Sequence, residues 1–368
     1  MKTMLDSSDN KLLAILEDIV NNIQIESNFC IHHPKYQPFC LPTNLAERFE
    51  QQIADSLRKK YLKLLLRNFV YGIYFSGFLQ NTLTLNTKKV LFQPHQNFET
   101  NSLLGIDWQF YQRLHVNNHG NGYYDPGWQI LLQEPDGSVG VGKGGITLHI
   151  DRKNHLLPSQ QSAKIGEYVA IWMPKNRLHN GSYVALSNVG QDKQRNPDGD
   201  LGVGRIYLNL NPRGAIVVMD ILTRLLNQSE IPFCFKVLYN PIAYGRFDSG
   251  ILYFEKANYP TIHFVLDRIY QKHQSFFKPY VPFFTKFLAS GISVAEEPIQ
   301  KFAANESFGM NRCQIIANAL SEAWHKNHNS PEERMNTIKQ HFSKLSIDLR
   351  HPYLNPDSED VYYPLGNG

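Results

Sequence analysis

Between residues 205 and 288 the chain runs through six segments whose hydrophobic periods come in an order that few folds accept. Residues 205–210 alternate with a period of two and 215–227 repeat at helical spacing; 232–238 and 250–255 are extended, 259–271 are helical and 282–288 are extended again. The order β-α-β-β-α-β is the split βαβ arrangement, in which each helix packs on a sheet built from all four strands. Two further helical patterns follow, 307–324 and 331–345, with Pro331 in a first turn where its missing N–H leaves nothing unpaired.

Upstream, short apolar runs at 128–132, 146–150, 168–173 and 183–187 are separated by Gly, Asn and Asp, with a turn at Glu134-Pro135-Asp136-Gly137, which predicts a strand-rich middle. Residues 190–204 (GQDKQRNPDGDLGVG) read as a linker or mobile loop. In the first quarter Leu12, Leu13, Leu16, Ile19 and Val20 recur at helical spacing. A second pattern runs from Asn44, a candidate N-cap, through Ala54, Leu57, Tyr61 and Leu64 to about Phe69. The expected fold is α+β: a helical N-terminal region over 1–100, then one unit over 101–368 with mixed or antiparallel strands, the β-α-β-β-α-β segment and C-terminal helices.

Composition excludes several classes. The chain has 368 residues, 42% of them hydrophobic and 19% charged, with 22 Phe and 19 Tyr, which is opposite to the signature of disorder. A balance of 37 Lys+Arg against 33 Asp+Glu leaves +4, too small a surplus to attract nucleic acid or a membrane surface in bulk. No apolar run approaches the roughly 18 residues of a membrane helix, and the start, MKTMLDSSDNK, has no apolar stretch behind its first lysine. Cys30, Cys40, Cys234 and Cys313 form no CxxC pair and suit a reducing compartment better than a disulfide framework, so a cytoplasmic protein is expected. Cys30, His32, His33 and Cys40 lie in one proline-containing stretch that could hold zinc, but the spacing fits no standard finger and a plain loop is the favoured reading.

Gly140, Gly142 and Gly145 spell G-x-G-x-x-G around Lys143, and YVAIWMPK echoes a kinase lysine strand. No H-R-D or D-F-G accompanies them, and strand residues rather than a helix follow Gly145, so a hairpin that presents Lys143 is expected instead. No G-x-S-x-G is present, and Cys313 sits in a helical pattern where a buried thiol is ordinary, which argues against a Ser or Cys hydrolase. The remaining polar residues of interest stand beside glycines and in apolar strands: His115, Lys143, Arg205, Lys236, Tyr244, Arg246, Asp248, Lys286, Glu296, Glu306 and Arg312. Lys236 in FCFKVL and Lys286 in FFTKFL interrupt hydrophobic strands and must reach water, a carboxylate or an anionic ligand. Taken singly each cation is best read as a partner of Asp248, Glu296, Glu297 or Glu306. Converging on one cleft they would suit a phosphate dianion.

The blocks YLNLNPRGAIVVMDILTRLLN, IPFCFKVLYNPIAYGRFDSGILYF, VPFFTKFLASGISVAEEP, NESFGMNRCQIIANAL and HPYLNP occur in order and resemble the HopA type III effector family in its free-standing bacterial form. The resemblance is strong from about 205 to 356 and weaker through GYYDPGW and GKGGITLHI. It implies a phosphoserine/phosphothreonine lyase that works with a kinase-like protein on a phosphorylated precursor peptide, as in class V lanthipeptide and thioamidated-peptide maturation. Phosphate would leave by β-elimination to give dehydroalanine or dehydrobutyrine, with no metal or cofactor. Other relatives are effectors, which implies as the alternative a non-catalytic protein that binds a phosphopeptide or a partner.

Under the lyase reading, Lys143 on its glycine hairpin is the expected base and His115 in its polar loop the expected acid. Arg205, Lys236, Arg246, Lys286 and Arg312 are the pool for the phosphate clamp, supported by Tyr244, Asp248 and Glu306. Injected phosphothreonine lyases use a Lys-x-His pair on a strand. The only counterparts in this sequence are Lys153-Asn154-His155 and Lys326-Asn327-His328.

Overall fold

The computed structural model describes residues 2–85, 105–190 and 202–366. From the N-terminus, α1 (Lys2–Asn22) leads into a three-stranded antiparallel sheet of β1 (Gln24–Ser27), β2 (Cys30–His33) and β3 (Tyr36–Cys40). Then come α2 (Thr43–Gln52), α3 (Asp55–Val70), a π-helical turn over Tyr71–Phe75 and α4 (Phe78–Thr82). Three expectations are corrected in this region. The stretch read as a loop is a sheet, anchored by buried Phe29, Ile31 and Phe39. Cys30 and Cys40, opposite one another in the β2–β3 ladder, are joined as a disulfide, whereas reduced cysteines were expected. The second helical pattern is two helices: Ile53 is extended, and α2 starts after Pro42, whose carbonyl accepts from the Leu45 and Ala46 amides, so Asn44 lies inside the first turn and caps nothing.

The middle of the chain supplies α5 (Trp108–Asn117) and a second antiparallel sheet. Its strands are β4 (Tyr123–Gln133), β5 (Val139–Lys143), β6 (Ile146–Ile150) and β7 (Tyr168–Met173), in the order β6-β5-β4-β7, with the short α6 (Arg152–His155) between β6 and β7 in the chain. Trp128, Ile130, Val139, Val141, Ile150, Val169 and Ile171 form its own small core. The glycine motif is the expected hairpin: Lys143 pairs with Ile146 across Gly144 (φ 57°) and Gly145 (φ 80°), two left-handed residues that L side chains rarely adopt.

The large sheet has seven antiparallel strands: β8 (Asn176–His179), β9 (Ser182–Leu186), β10 (Val203–Leu208), β11 (Phe233–Leu238), β12 (Gly250–Glu255), β13 (Lys286–Ala289) and β14 (Ile292–Glu296), in the order β13-β14-β10-β12-β11-β9-β8. Helices α7 (Pro212–Gln228) and α8 (Tyr259–His273) follow β10 and β12, so the β-α-β-β-α-β series is present with β10 and β11 flanking β12. Period-two geometry divides the faces. Ile206, Leu208, Phe235, Val237, Leu252 and Phe254 join α7 and α8 in the main core. Arg205, Tyr207, Lys236, Ile251 and Tyr253 point the other way, in register with one another.

The β10 end of that second face is covered by the π turn and by α9 (Phe308–His325), where Phe75 and Phe308 pack on Tyr207. Helix α10 (Pro331–Lys344) closes the bundle, and its Arg334 donates to the Val20 and Ile23 carbonyls at the end of α1. The described residues thus form an α+β fold. Residues 191–201 of the expected linker, and the expected boundary at 100, lie outside the described residues. Among the described residues no helix is long and apolar enough to cross a membrane.

Candidate active site

Where the second face of the large sheet is not covered by α9, it floors a cavity of about 560 Å³. Strand alternation decides which side chains enter. β10 presents Arg205 and Tyr207, β12 Ile251 and Tyr253, and β11 Lys236 and Leu238. The β8–β9 hairpin adds His179, Asn180 and Ser182; its two-residue turn is Asn180-Gly181, with φ of 46° and 80°. The opposing wall comes from Tyr71 and Phe75 of the π turn, from Arg246, Asp248 and Ser249 before β12, and from Glu297, Lys301, Asn305, Glu306 and Ser307 before α9.

Four permanent cations (Arg205, Lys236, Arg246, Lys301) therefore share this space with three carboxylates (Asp248, Glu297, Glu306). The pairing is uneven. Arg246 and Asp248 form a buried bidentate pair, Nε to Oδ1 at 2.5 Å and Nη2 to Oδ2 at 2.8 Å, and Tyr71 Oη donates to Asp248 Oδ2 at 3.0 Å. Glu297 pairs with both Arg205 and Lys301. Glu306 accepts from the Phe302 amide and the Asn311 side chain, each at 2.9 Å. At the hairpin end, burial lowers the pKa of His179, and the positive charges of Lys236 and Arg177 lower it further, so the imidazole is held neutral.

Ser182 Oγ is buried on the cavity floor with no hydrogen-bond partner among the described residues, and the buried Tyr207 hydroxyl lies against the Arg205 side chain. Buried polar atoms usually find partners, so the Ser182 hydroxyl marks this cavity as a place for a polar ligand.

Five of the sequence-predicted residues meet here: Arg205, Lys236, Arg246, Asp248 and Glu306. The others stand elsewhere. Lys143 Nζ donates to Asp125 Oδ1 at 2.9 Å and to the Pro126 carbonyl, and Asp125 also receives the Trp128 indole N–H at 2.7 Å, which makes the lysine part of the small sheet's own polar network. His115 stacks on Tyr111 and lies 3.3 Å from Tyr183 Oη; burial and the nearby Lys175 lower its pKa. Lys286 bonds Asp360 at 2.5 Å and the Tyr362 carbonyl at 2.7 Å. Arg312, fully buried, holds the Pro352 and Leu354 carbonyls at 2.7 and 3.0 Å and so fastens the HPYLNP segment. Tyr244 Oη donates to the Leu238 carbonyl at 2.7 Å. The Lys153–His155 pair lies on α6, where residues two apart diverge, and Asn327 and His328 lie past the end of α9.

Sequence reasoning missed His179, Ser182, Tyr207, Tyr253 and Lys301. Asn180-Gly181 between NRLH and SYVAL is the hairpin signature that would have placed His179 and Ser182 side by side. On β8, Arg177 and His179 hold the same-face, two-apart relation sought in the Lys-x-His motifs, with Arg in place of Lys.

The HopA1 effector protein family matches this chain over residues 173–354. Over these residues the chain is HopA-like. The match spans the β8–β14 sheet, both of its helices, α9 and α10, and every cavity residue named above except Tyr71 and Phe75. Two solved structures are similar. The effector protein from Pseudomonas syringae pv. tomato strain DC3000 is 17% identical, over 68% of this chain and 81% of its own, with a TM-score of 0.39. That from Pseudomonas syringae pv. syringae strain 61 is 15% identical with the same coverage and TM-score. No curated protein matches the chain.

Proposed function

We propose that this HopA-like protein is a phosphoserine/phosphothreonine lyase that removes phosphate by β-elimination from a ribosomally made peptide, after a separate kinase-like protein has phosphorylated it. The observation that carries the reading is that Arg205, Lys236 and Lys301, neutral His179 and the unpartnered Ser182 hydroxyl line one cavity inside the HopA-like region.

The chemistry asks for a base at the α-carbon and positive charge at the leaving oxygen. His179, unprotonated, takes the α-proton; the Cα–Cβ double bond forms as the Cβ–O bond breaks, leaving dehydroalanine from phosphoserine or dehydrobutyrine from phosphothreonine. Phosphate departs into the charge of Arg205, Lys236 and Lys301 and takes up the proton that the imidazolium then releases. This moves the base and acid roles from Lys143 and His115, which lie outside the cavity, to residues within it. Arg246, tied to Asp248, shapes the wall. We place the protein in the cytoplasm, beside the kinase and the peptide.

Incubation with a phosphoserine or phosphothreonine peptide and mass spectrometry should show loss of one phosphoric acid and a new thiol-reactive alkene. Intact phosphopeptide across a panel of sequences would overturn the reading. The second reading, a phosphopeptide-binding protein without turnover, is favoured by the ion pairs already present in the site, since Glu297 pairs with Arg205 and Lys301 and Asp248 with Arg246. It predicts saturable binding with the peptide recovered unchanged.

A further inference from the structure

The stretch expected to be a loop is a sheet, and its folding brings four metal-ligand side chains onto one surface. Cys30 and His32, two apart on β2, point to the same side. Cys40 on β3 is the direct ladder partner of Cys30, with Cα atoms 4.1 Å apart. The ligand atoms of Cys30, His32 and Cys40 all lie within 4.8 Å of one another. A fourth donor comes from β1, where the register shifts between Ile25 and Ser27: Glu26 sits in this irregularity and its Oε2 is 2.6 Å from His32 Nε2.

We infer that the reduced Cys30–Cys40 pair, with His32 and Glu26, is a binding site for a thiophilic divalent cation such as zinc, and that disulfide and metal are alternative states of the same cluster. The distances fit. Ligand bonds of about 2.3 Å to sulfur and about 2.05 Å to nitrogen at tetrahedral angles place S and N roughly 3.6 Å apart; Cys30 Sγ and His32 Nε2 are 3.5 Å apart. Glu26 reaches the fourth position by giving up its hydrogen bond to Nε2 and moving to a separation of roughly 3.4 Å. His33, next in sequence, faces the core, where it meets Tyr74 and Asp18, and is not part of the set. The cluster is open to solvent, with His32 and Glu26 side chains 41% and 64% exposed, so an ion has an entry path.

The exchange balances with a dithiol or phosphine reductant. Two electrons and two protons convert the disulfide to two thiols, and both protons leave when the cation binds the thiolates. Cys234 on β11 and Cys313 on α9, the other two cysteines, are buried and offer no competing exposed thiol.

The test uses the full chain, reduced with a phosphine, desalted without oxygen and titrated with zinc against a chromophoric chelator. One zinc per chain is expected for reduced wild type, none for the oxidised protein and none for Cys40→Ser; His32→Ala should weaken binding at least about ten-fold. Cobalt(II) in place of zinc should give the intense thiolate charge-transfer absorption of a tetrahedral site. The oxidised wild type, with its fold intact, is the control should Cys40→Ser fail to fold. No stoichiometric zinc in the reduced protein, or equal affinity in its oxidised form, would overturn the inference.

Discussion

Replacing Arg246 with Met keeps the aliphatic stem but removes the cation from a pair in which both side chains are 3% exposed. Asp248 would then retain the Tyr71 hydroxyl and lose both guanidinium hydrogen bonds. Removing one partner of a buried ion pair costs about 3–5 kcal/mol, because the remaining charge is left uncompensated. With an unfolding entropy of about 2 cal/mol/K per residue, a 368-residue chain that unfolds cooperatively loses roughly 4–7 °C in melting temperature for that cost. Asp248→Leu should cost a similar amount. The double variant should cost less than the two singles together by about 1.5–3 kcal/mol, since neither charge is then stranded. Circular dichroism melts of the four proteins measure this cycle. Shifts below about 1 °C that simply add would refute the assignment of Arg246 to the wall of the cavity and return it to the pool of available phosphate ligands.

Lys143→Ala should destabilise by about 1–3 kcal/mol, because Asp125, 7% exposed, loses its cation, while phosphopeptide turnover stays at the wild-type level; melts and the elimination assay read the two effects separately. The rate of elimination should hold as pH falls through 6.5 and decline only below it, because burial and the charges of Lys236 and Arg177 keep His179 unprotonated past the usual imidazole value of 6.5; a pH–rate profile tests this. Glu322, hydrogen-bonded by Lys326 and His341 between α9 and α10, has its pKa lowered from 4.5 to about 2. A depressed carboxylate contributes stability in full above its unfolded value, and that contribution is lost as pH falls towards 2. The stability gap between wild type and Glu322→Gln should therefore close between pH 4.5 and about 2 in denaturant titrations.

How much was legible in the sequence follows from what each element depends on. The strands and helices from β10 to β13 were readable because each buries a full face, and periods of two and 3.6 record that burial directly. The first sheet was not, since its strands are four or five residues long, contain Pro38 and two histidines, and are held by pairing with each other and by Phe29 and Phe39 packing inward. The break at Ile53 left no trace because the apolar spacing continues across it. In the site, Arg205 and Lys236 were visible as charges in apolar strands. Their company was not, because Glu297 reaches Arg205 through tertiary pairing and His179 reaches Lys236 through the β8–β9–β11 register. The Lys143 hairpin is legible in the glycines at 140, 142 and 145, yet Asp125 arrives beside Lys143 through an irregular stretch of β4 that no local pattern encodes.

Phosphate chemistry is proposed to take place on the open face of the large sheet, at Lys236 and His179. The direct measurement is the rate of phosphate loss from one phosphopeptide with wild type, Lys236→Ala, His179→Ala and Lys143→Ala, read by mass spectrometry. Wild type and Lys143→Ala should eliminate phosphate, and the other two should lose about 10²–10⁴-fold in rate; elimination that survives both cavity substitutions but is abolished by Lys143→Ala would refute this placement.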